Sequence, residues 1–295
     1  MIRDVSNPKG QSVPEIKAEI LMAEWQSVSM FDALKRHWQV YLLEAVGLGI
    51  FMVSACGFAV LLFHPASFAG GMIEGSLIKQ MLMGVAMGLT FIGIVYSPIG
   101  QKSGAHINPA ATLMFYRLGK INGYDALWYV LAQFIGGVLG VVLSSAVFGK
   151  LLAHQSVNYV VTVPGDYGVT VAFIAETAIS MLLMIVVLTV SNTKRLSNYT
   201  GLIVGFLVAT YIAFENPLSG MSMNPARTFG SALVGNVWNG LWIYFIASPA
   251  GMLLAAEIYT RACGMHSVLC AKLNHSNHRA RCIFRCNFYG ETING

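Results

Sequence analysis

Long apolar runs broken by short polar stretches set the pattern of this chain. Six of the runs, at about 38–63, 78–98, 124–148, 170–191, 199–215 and 237–260, reach the roughly 20 residues that a helix needs to cross a bilayer. Two further apolar runs, after Asn108 and after Asn224, are only half that length. Six spans is an even number, so both ends of the chain are expected on one side of the membrane.

The two short runs share an approach. SGAHINPAATL at 103–113 is echoed by SGMSMNPARTF at 219–229. Ahead of each lies a span with one acid in a similar frame, YLLEAVGLGIFMV with Glu44 and FIAETAISMLLMI with Glu176. The chain therefore divides into two halves of three spans, and the odd number inverts the second half relative to the first. Pro suits the first turn of a helix, where its missing N–H has no partner to lose, and Asn is among the strongest N-caps. Asn108-Pro109-Ala110 and Asn224-Pro225-Ala226 are read as the starts of two half-helices that enter from opposite faces and meet near the midplane. Non-helical backbone at that depth persists only where it is buried in protein or lines a watery cavity. Two such breaks in inverted halves point to a pore.

Composition agrees with membrane embedding. With 56% hydrophobic and 11% charged residues and a mean hydropathy of +0.63, there are too few charges for an ordinary soluble surface. Basic residues such as Lys35, Arg36, Lys102, Arg117, Lys120, Lys194, Arg195 and Arg261 gather on one side, and the opposite loops hold little beyond Lys79 and Lys150. Both termini are therefore expected in the cytoplasm. The net charge of +5 then reflects topology and implies no nucleic-acid partner. The polar start, MIRDVSNPKG, argues against a signal peptide there. Three regions are expected: a cytoplasmic tail at 1–37, a channel domain at 38–262, and a basic tail at 263–295 that holds Cys263, Cys270, Cys282 and Cys286.

From about residue 38 to 260 the chain resembles the major intrinsic proteins, the aquaporins and glycerol facilitators. The resemblance rests on both Asn-Pro-Ala boxes, on Glu44 and Glu176, on Gln133 in the third span, and on Arg227 directly after the second box. It implies an all-α membrane protein, six transmembrane helices plus two re-entrant half-helices in inverted three-helix repeats. In that hourglass each monomer is its own pore, and four monomers pack together as a homotetramer.

The resemblance also implies roles. Asn108 and Asn224 would offer amide N–H groups to passing water, and the two helix N-termini would add positive potential, which together oppose a proton wire and repel cations. Carbonyls of residues 104–107 and 220–223 would form an acceptor ladder. Arg227 is a charge at membrane depth, costly unless it faces water. Glu44 and Glu176 are expected to accept backbone N–H bonds from the loops, with no proton relay between them. The family's spacing puts Ile212, twelve residues before Asn224, where strict water channels carry His, and puts Met221 three residues before Asn224. The second-span filter position is Met87 or Gly88, because YSPIGQKSGAH holds an extra residue. The expected function is a passive channel for water and small neutral solutes such as glycerol, excluding protons and ions, with no enzymatic activity and no cofactor. A non-conducting structural or adhesion protein of the same fold is the alternative.

Glycines recur along the spans, at Gly84, Gly88, Gly93, Gly136, Gly137, Gly140, Gly201 and Gly205, and close helix crossing in lipid accounts for them. The tail HSNHRARCIFRC sets His275, His278, Cys282 and Cys286 at spacings a zinc site could use. The simpler expectation is no metal, and a reduced basic tail lying against anionic headgroups.

Overall fold

The structure is a computed structural model that describes residues 29–275 and 282–288. His278, singled out above, lies outside the described residues, as does most of the expected N-terminal tail. Regular structure among the described residues is entirely helical. In chain order the principal helices are α1 (Met30–Phe63), α2 (Ser76–Tyr96), α3 (Pro109–Arg117), α4 (Gly123–Phe148), α5 (Val169–Ser191), α6 (Thr200–Phe214), α7 (Pro225–Gly235) and α8 (Leu241–Cys263). Six of them are long and apolar enough to cross a membrane. The other two, α3 and α7, are the half-helices.

Helix α1 begins earlier than its apolar run. Ser29 Oγ accepts from the Asp32 backbone N–H at 3.2 Å, and the Asp32 carboxylate accepts in return from the Ser29 N–H at 3.4 Å. This reciprocal cap starts the helix at Met30. Its first turns carry Lys35 and Arg36, polar residues that hydropathy assigns to a tail but that a capped helix accommodates.

The spans pair as an inverted repeat requires. Helix α1 lies along α4, α5 lies along α8, and α2 crosses α6. Exchanging α1 with α5, α2 with α6, α3 with α7 and α4 with α8 leaves this set of contacts unchanged. The half-helices obey the same exchange, with α3 against α8 and α7 against α4. Both ends of the described chain lie on one side of the bundle, here the terminal face. The opposite side is the far face.

Small residues make these crossings close. A Cβ on Gly136 would stand 2.1 Å from the Ala45 carbonyl oxygen, and one on Gly84 would stand 2.4 Å from that of Ala209. Gly93, expected in the same role, has no neighbour within 4 Å. Gly136→Val should therefore lower the melting temperature and folded yield of the purified protein, since forced overpacking costs about 1–3 kcal/mol or more. Gly93→Ala should melt like the parent. Indistinguishable melting of the two variants would show that the α1–α4 crossing is not so tight.

After α8 the chain departs from expectation. Its described residues pack against the bundle. Residues 264–275 turn back beneath the terminal face, where Val268, Cys270, Ala271, Lys272, Leu273, Asn274 and His275 are buried. The Leu269 N–H donates to Asn192 Oδ1 at 2.6 Å. The Leu273 N–H donates to the Gly104 carbonyl at 3.1 Å, and the Arg285 N–H to the Lys120 carbonyl at 3.0 Å. The cause is apolar content amid the basic residues: Val268, Leu273 and Phe284 join the cluster of Met114, Phe115, Tyr129 and Met184. Burying such side chains stabilises by about 1.5–3 kcal/mol each, more than a headgroup contact gives a single Lys or Arg.

Candidate pore

Asn108 and Asn224 stand at the N-caps of α3 and α7 in extended backbone. Asn108 Oδ1 accepts from the Ala110 N–H at 2.9 Å, and Asn224 Oδ1 accepts from the N–H groups of Ala226 at 3.1 Å and Arg227 at 3.2 Å. Pro109 and Pro225 occupy the first helical positions, where no donor is needed. With the oxygens so engaged, the amide nitrogens turn across the midplane. Asn108 Nδ2 donates to the Met223 carbonyl and Asn224 Nδ2 to the Ile107 carbonyl, each at 2.7 Å. Each half-helix is thus tied to the loop that leads into the other. One proton of each nitrogen makes this tie, which leaves the second for the cavity that both side chains line.

The two loops take left-handed backbone at matched places, Ala105 (φ 58°) and Ile107 (φ 38°) in the first, Met221 (φ 48°) and Met223 (φ 54°) in the second. Side-chain-bearing residues adopt this region only when surroundings hold them there. Two buried acids do so. Glu44 Oε1 accepts from the His106 N–H at 3.1 Å, and its Oε2 accepts from the Ile107 N–H at 2.6 Å and Gln133 Nε2 at 2.8 Å. Glu176 Oε1 accepts from the Ser222 N–H at 2.6 Å and Ser219 Oγ at 2.9 Å, while Oε2 accepts from the Met223 N–H at 2.8 Å and Ser248 Oγ at 3.3 Å. Tyr129 and Tyr244 donate to the carbonyls of Ser103 and Ser219, each at 2.6 Å.

The matching breaks at one pair. Ser222 hydrogen-bonds Thr228 in the first turn of α7, as His106 Nδ1 does Thr112 of α3 at 3.1 Å, but Ser222 goes no further. Its counterpart His106 reaches out of the repeat, with Nε2 at 2.8 Å from the Ala271 carbonyl and its ring stacked on Phe115 and Phe284 at 4.9 and 5.3 Å. Sequence reasoning passed over this histidine, although SGAHI against SGMSM already shows where the halves differ.

A cavity of about 300 Å³ passes both asparagines. On the far-face side Met83, Met87, Ile212, Met221 and Arg227 line it, with Phe51 and Phe63 of α1. Toward the terminal face the lining is Phe91, Met184, Val187, Val204, Met252 and, from the tail, Leu273. Of the two filter candidates in α2, Met87 lines the cavity. Gly88 instead faces α6, where a Cβ would stand 2.5 Å from the Gly205 carbonyl oxygen. Of this pair, then, the cavity lining includes Met87 and not Gly88. The aromatic rings of Phe51 and Phe63 were not among the positions read from the sequence. Arg227 Nη1 is buried without a protein hydrogen-bond partner, and among the described residues the ion pairs join His37 to Asp125 and Arg117 and Arg261 to Glu257.

Residues 31–259 match the family described as Major intrinsic protein. The chain belongs to that family. This major intrinsic protein is similar to a probable NIP-type aquaporin of Nicotiana alata, 33% identical over 223 residues, which cover 75% of this chain and 76% of the relative. It is 31% identical over 261 residues to aquaporin NIP2-3 of Zea mays, covering 88% of this chain and 81% of that one. Probable aquaporin AqpM of Archaeoglobus fulgidus is 34% identical over 192 residues, 63% of this chain and 77% of the relative. Among solved structures, the aquaglyceroporin from Plasmodium falciparum shares the fold, with a TM-score of 0.65, 17% identity, and coverage of 77% of this chain and 97% of that one. This major intrinsic protein is an integral, multi-pass membrane protein, and its activity is that of a passive channel for water and small solutes.

Proposed function

We propose that the cavity past Asn108 and Asn224 is the conduction path, and that water and small neutral solutes such as glycerol cross it while protons and ions do not. Arg227 carries this reading: a guanidinium that lines the cavity and keeps Nη1 clear of any protein partner is tolerable at membrane depth only if it meets permeant water. The asparagine protons and the N-termini of α3 and α7 add positive potential at the midplane, which breaks the proton wire and repels cations. Glu44 and Glu176 hold the loops and take no part in transport. The remaining filter walls, Met87, Ile212 and Met221, are apolar, so a carbon chain can slide past them while Arg227 serves its hydroxyls.

The excess of Lys and Arg in the terminal-face loops supports cytoplasmic termini. Side chains such as Leu42, Val46, Ile50 and Ile135 are exposed on the bundle's flank; lipid and sister copies would cover them in a homotetramer embedded in the cell membrane.

Light scattering from reconstituted vesicles tests the function. Shrinkage in hypertonic sucrose should be faster than in empty vesicles, and hypertonic glycerol should give shrinkage followed by reswelling. Vesicles no faster than empty ones would rule out conduction, and complete exclusion of glycerol would rule out the wide apolar filter. Ile212→His should lower the glycerol-to-water ratio, because it narrows the wall and adds a polar partner for water. An unchanged ratio would mean that the filter lies elsewhere.

A further inference from the structure

Four tail side chains that the pore does not use come together beneath its terminal-face mouth. The Sγ atoms of Cys270, Cys282 and Cys286 all lie within 4.8 Å of one another. Cys270 and Cys282 are 3.6 Å apart, and His275 Nε2 is 3.8 Å from Cys286 Sγ. A tetrahedral ion with bonds of about 2.3 Å to sulfur and about 2.0 Å to nitrogen would hold its ligands about 3.5–3.8 Å apart. The Cys270–Cys282 and Cys286–His275 separations fall in that range, the third thiol lies within 4.8 Å of the other two, and three thiolates with one imidazole is a donor set that favours a soft divalent cation over Mg²⁺ or Ca²⁺.

One feature outside the ligand set agrees. Lys120 is buried beside Cys270 and Cys286, where its ammonium would offset a centre whose three thiolates outweigh a divalent ion by one negative charge. Of the four ligands, only Cys270 was absent from the sequence grouping. Its place in the set depends on the turn-back of residues 264–275.

The same segment occupies the mouth. Leu273 lines the cavity, its N–H bonds Gly104, and the Ala271 carbonyl accepts from His106 in the loop that ends at Asn108. Phe284, two residues from Cys282 and from Cys286, stacks on that histidine.

We propose that Cys270, His275, Cys282 and Cys286 bind one soft divalent cation such as Zn²⁺, and that the bound ion pins the tail in the terminal-face mouth and closes it. The closing step rests on the channel reading above; the ion site does not. Binding displaces the thiol protons to solvent as three sulfur–metal bonds and one nitrogen–metal bond form, with no change of oxidation state. Without the ion, the tail is held only by its hydrogen bonds and apolar contacts, and the mouth opens as it leaves.

Cobalt is the probe. Full-length protein purified under a phosphine reductant and stripped of metal should take up one Co²⁺ per chain, with the intense ultraviolet thiolate-to-cobalt band and visible bands of a tetrahedral site, and Zn²⁺ should bleach them. Cys282→Ser and Cys286→Ser should lose the spectrum, His275→Ala should weaken it, and Cys263→Ser, which alters an exposed cysteine outside the cluster, should keep it. In vesicles, Zn²⁺ should cut water flux through the parent and a chelator should restore it, while Cys282→Ser and Cys286→Ser conduct regardless of Zn²⁺. Absence of a cobalt spectrum from protein with free thiols, or a Cys270–Cys282 disulfide in protein isolated without reductant that leaves no ion bound after reduction, would overturn the site. A normal cobalt spectrum with zinc-insensitive parent flux would overturn closure alone. If neither the parent nor the cysteine variants ever exceed empty vesicles, the channel reading fails while the ion site stands.

Discussion

Arg227→Val is expected to leave water flux near that of the parent and to let protons or monovalent cations through. The side chain lines the cavity without an ion pair, so its removal orphans no carboxylate and opens no gap in a packed core. What disappears is a fixed charge beside the path. At an effective dielectric of about 20, two like charges 4 Å apart repel by about 4 kcal/mol, and a barrier of that size is worth nearly a thousand-fold in rate. The asparagine protons and helix N-termini remain, so the leak is expected to be partial. A pH-sensitive dye inside vesicles under an imposed potential would report it. A variant that reconstitutes normally and stays proton-tight, or one that simply fails to fold, would show that Arg227 is not the charge barrier.

The second large effect is on stability. Glu176→Gln is expected to lower the melting temperature markedly, with Glu44→Gln behaving in parallel. Each carboxylate accepts two backbone N–H groups from its loop, on different oxygens. An amide has one acceptor oxygen, and its NH₂ group would face an N–H it cannot bond. A buried donor left in that state costs about 1–3 kcal/mol, at a place where Met221, Met223, Ala105 and Ile107 already hold left-handed backbone. Thermal unfolding in detergent measures the loss. Unchanged melting combined with altered ion selectivity would move the acids from the scaffold into the conduction path.

The two boxes and their acids were legible in the chain because each rests on a local rule repeated twice. Asn followed by Pro can only begin a helix well, and an acid inside an apolar span needs a donor nearby. The filter was half legible. Ile212, Met221 and Arg227 line the cavity, but that Met87 rather than Gly88 lines it with them depends on the α2–α6 crossing, which composition does not reveal. The start of α1 was hidden for a different reason: hydropathy marks where lipid begins, while the Ser29 cap marks where the helix begins. The packing of the described tail, residues 264–275 and 282–288, was not legible, because its apolar residues are scattered among polar and basic ones without a period. Its fold depends on a few apolar side chains finding a surface contributed by α5 and by the first box's loop, which no local pattern announces.

The crosswise lodging of the half-helices bears on how the molecule is made. Each leans on the final span of the opposite repeat, α3 on α8 and α7 on α4, and each asparagine is tied to the opposite loop. A ribosome delivers the first box well over a hundred residues before α8 emerges. Through that interval α3 has α4 beside it but neither α8 nor the Met223 carbonyl that will hold Asn108. The nascent first repeat must therefore wait, with a polar loop at or near the insertion site, and the passage assembles only when the last span arrives and both halves lock at once.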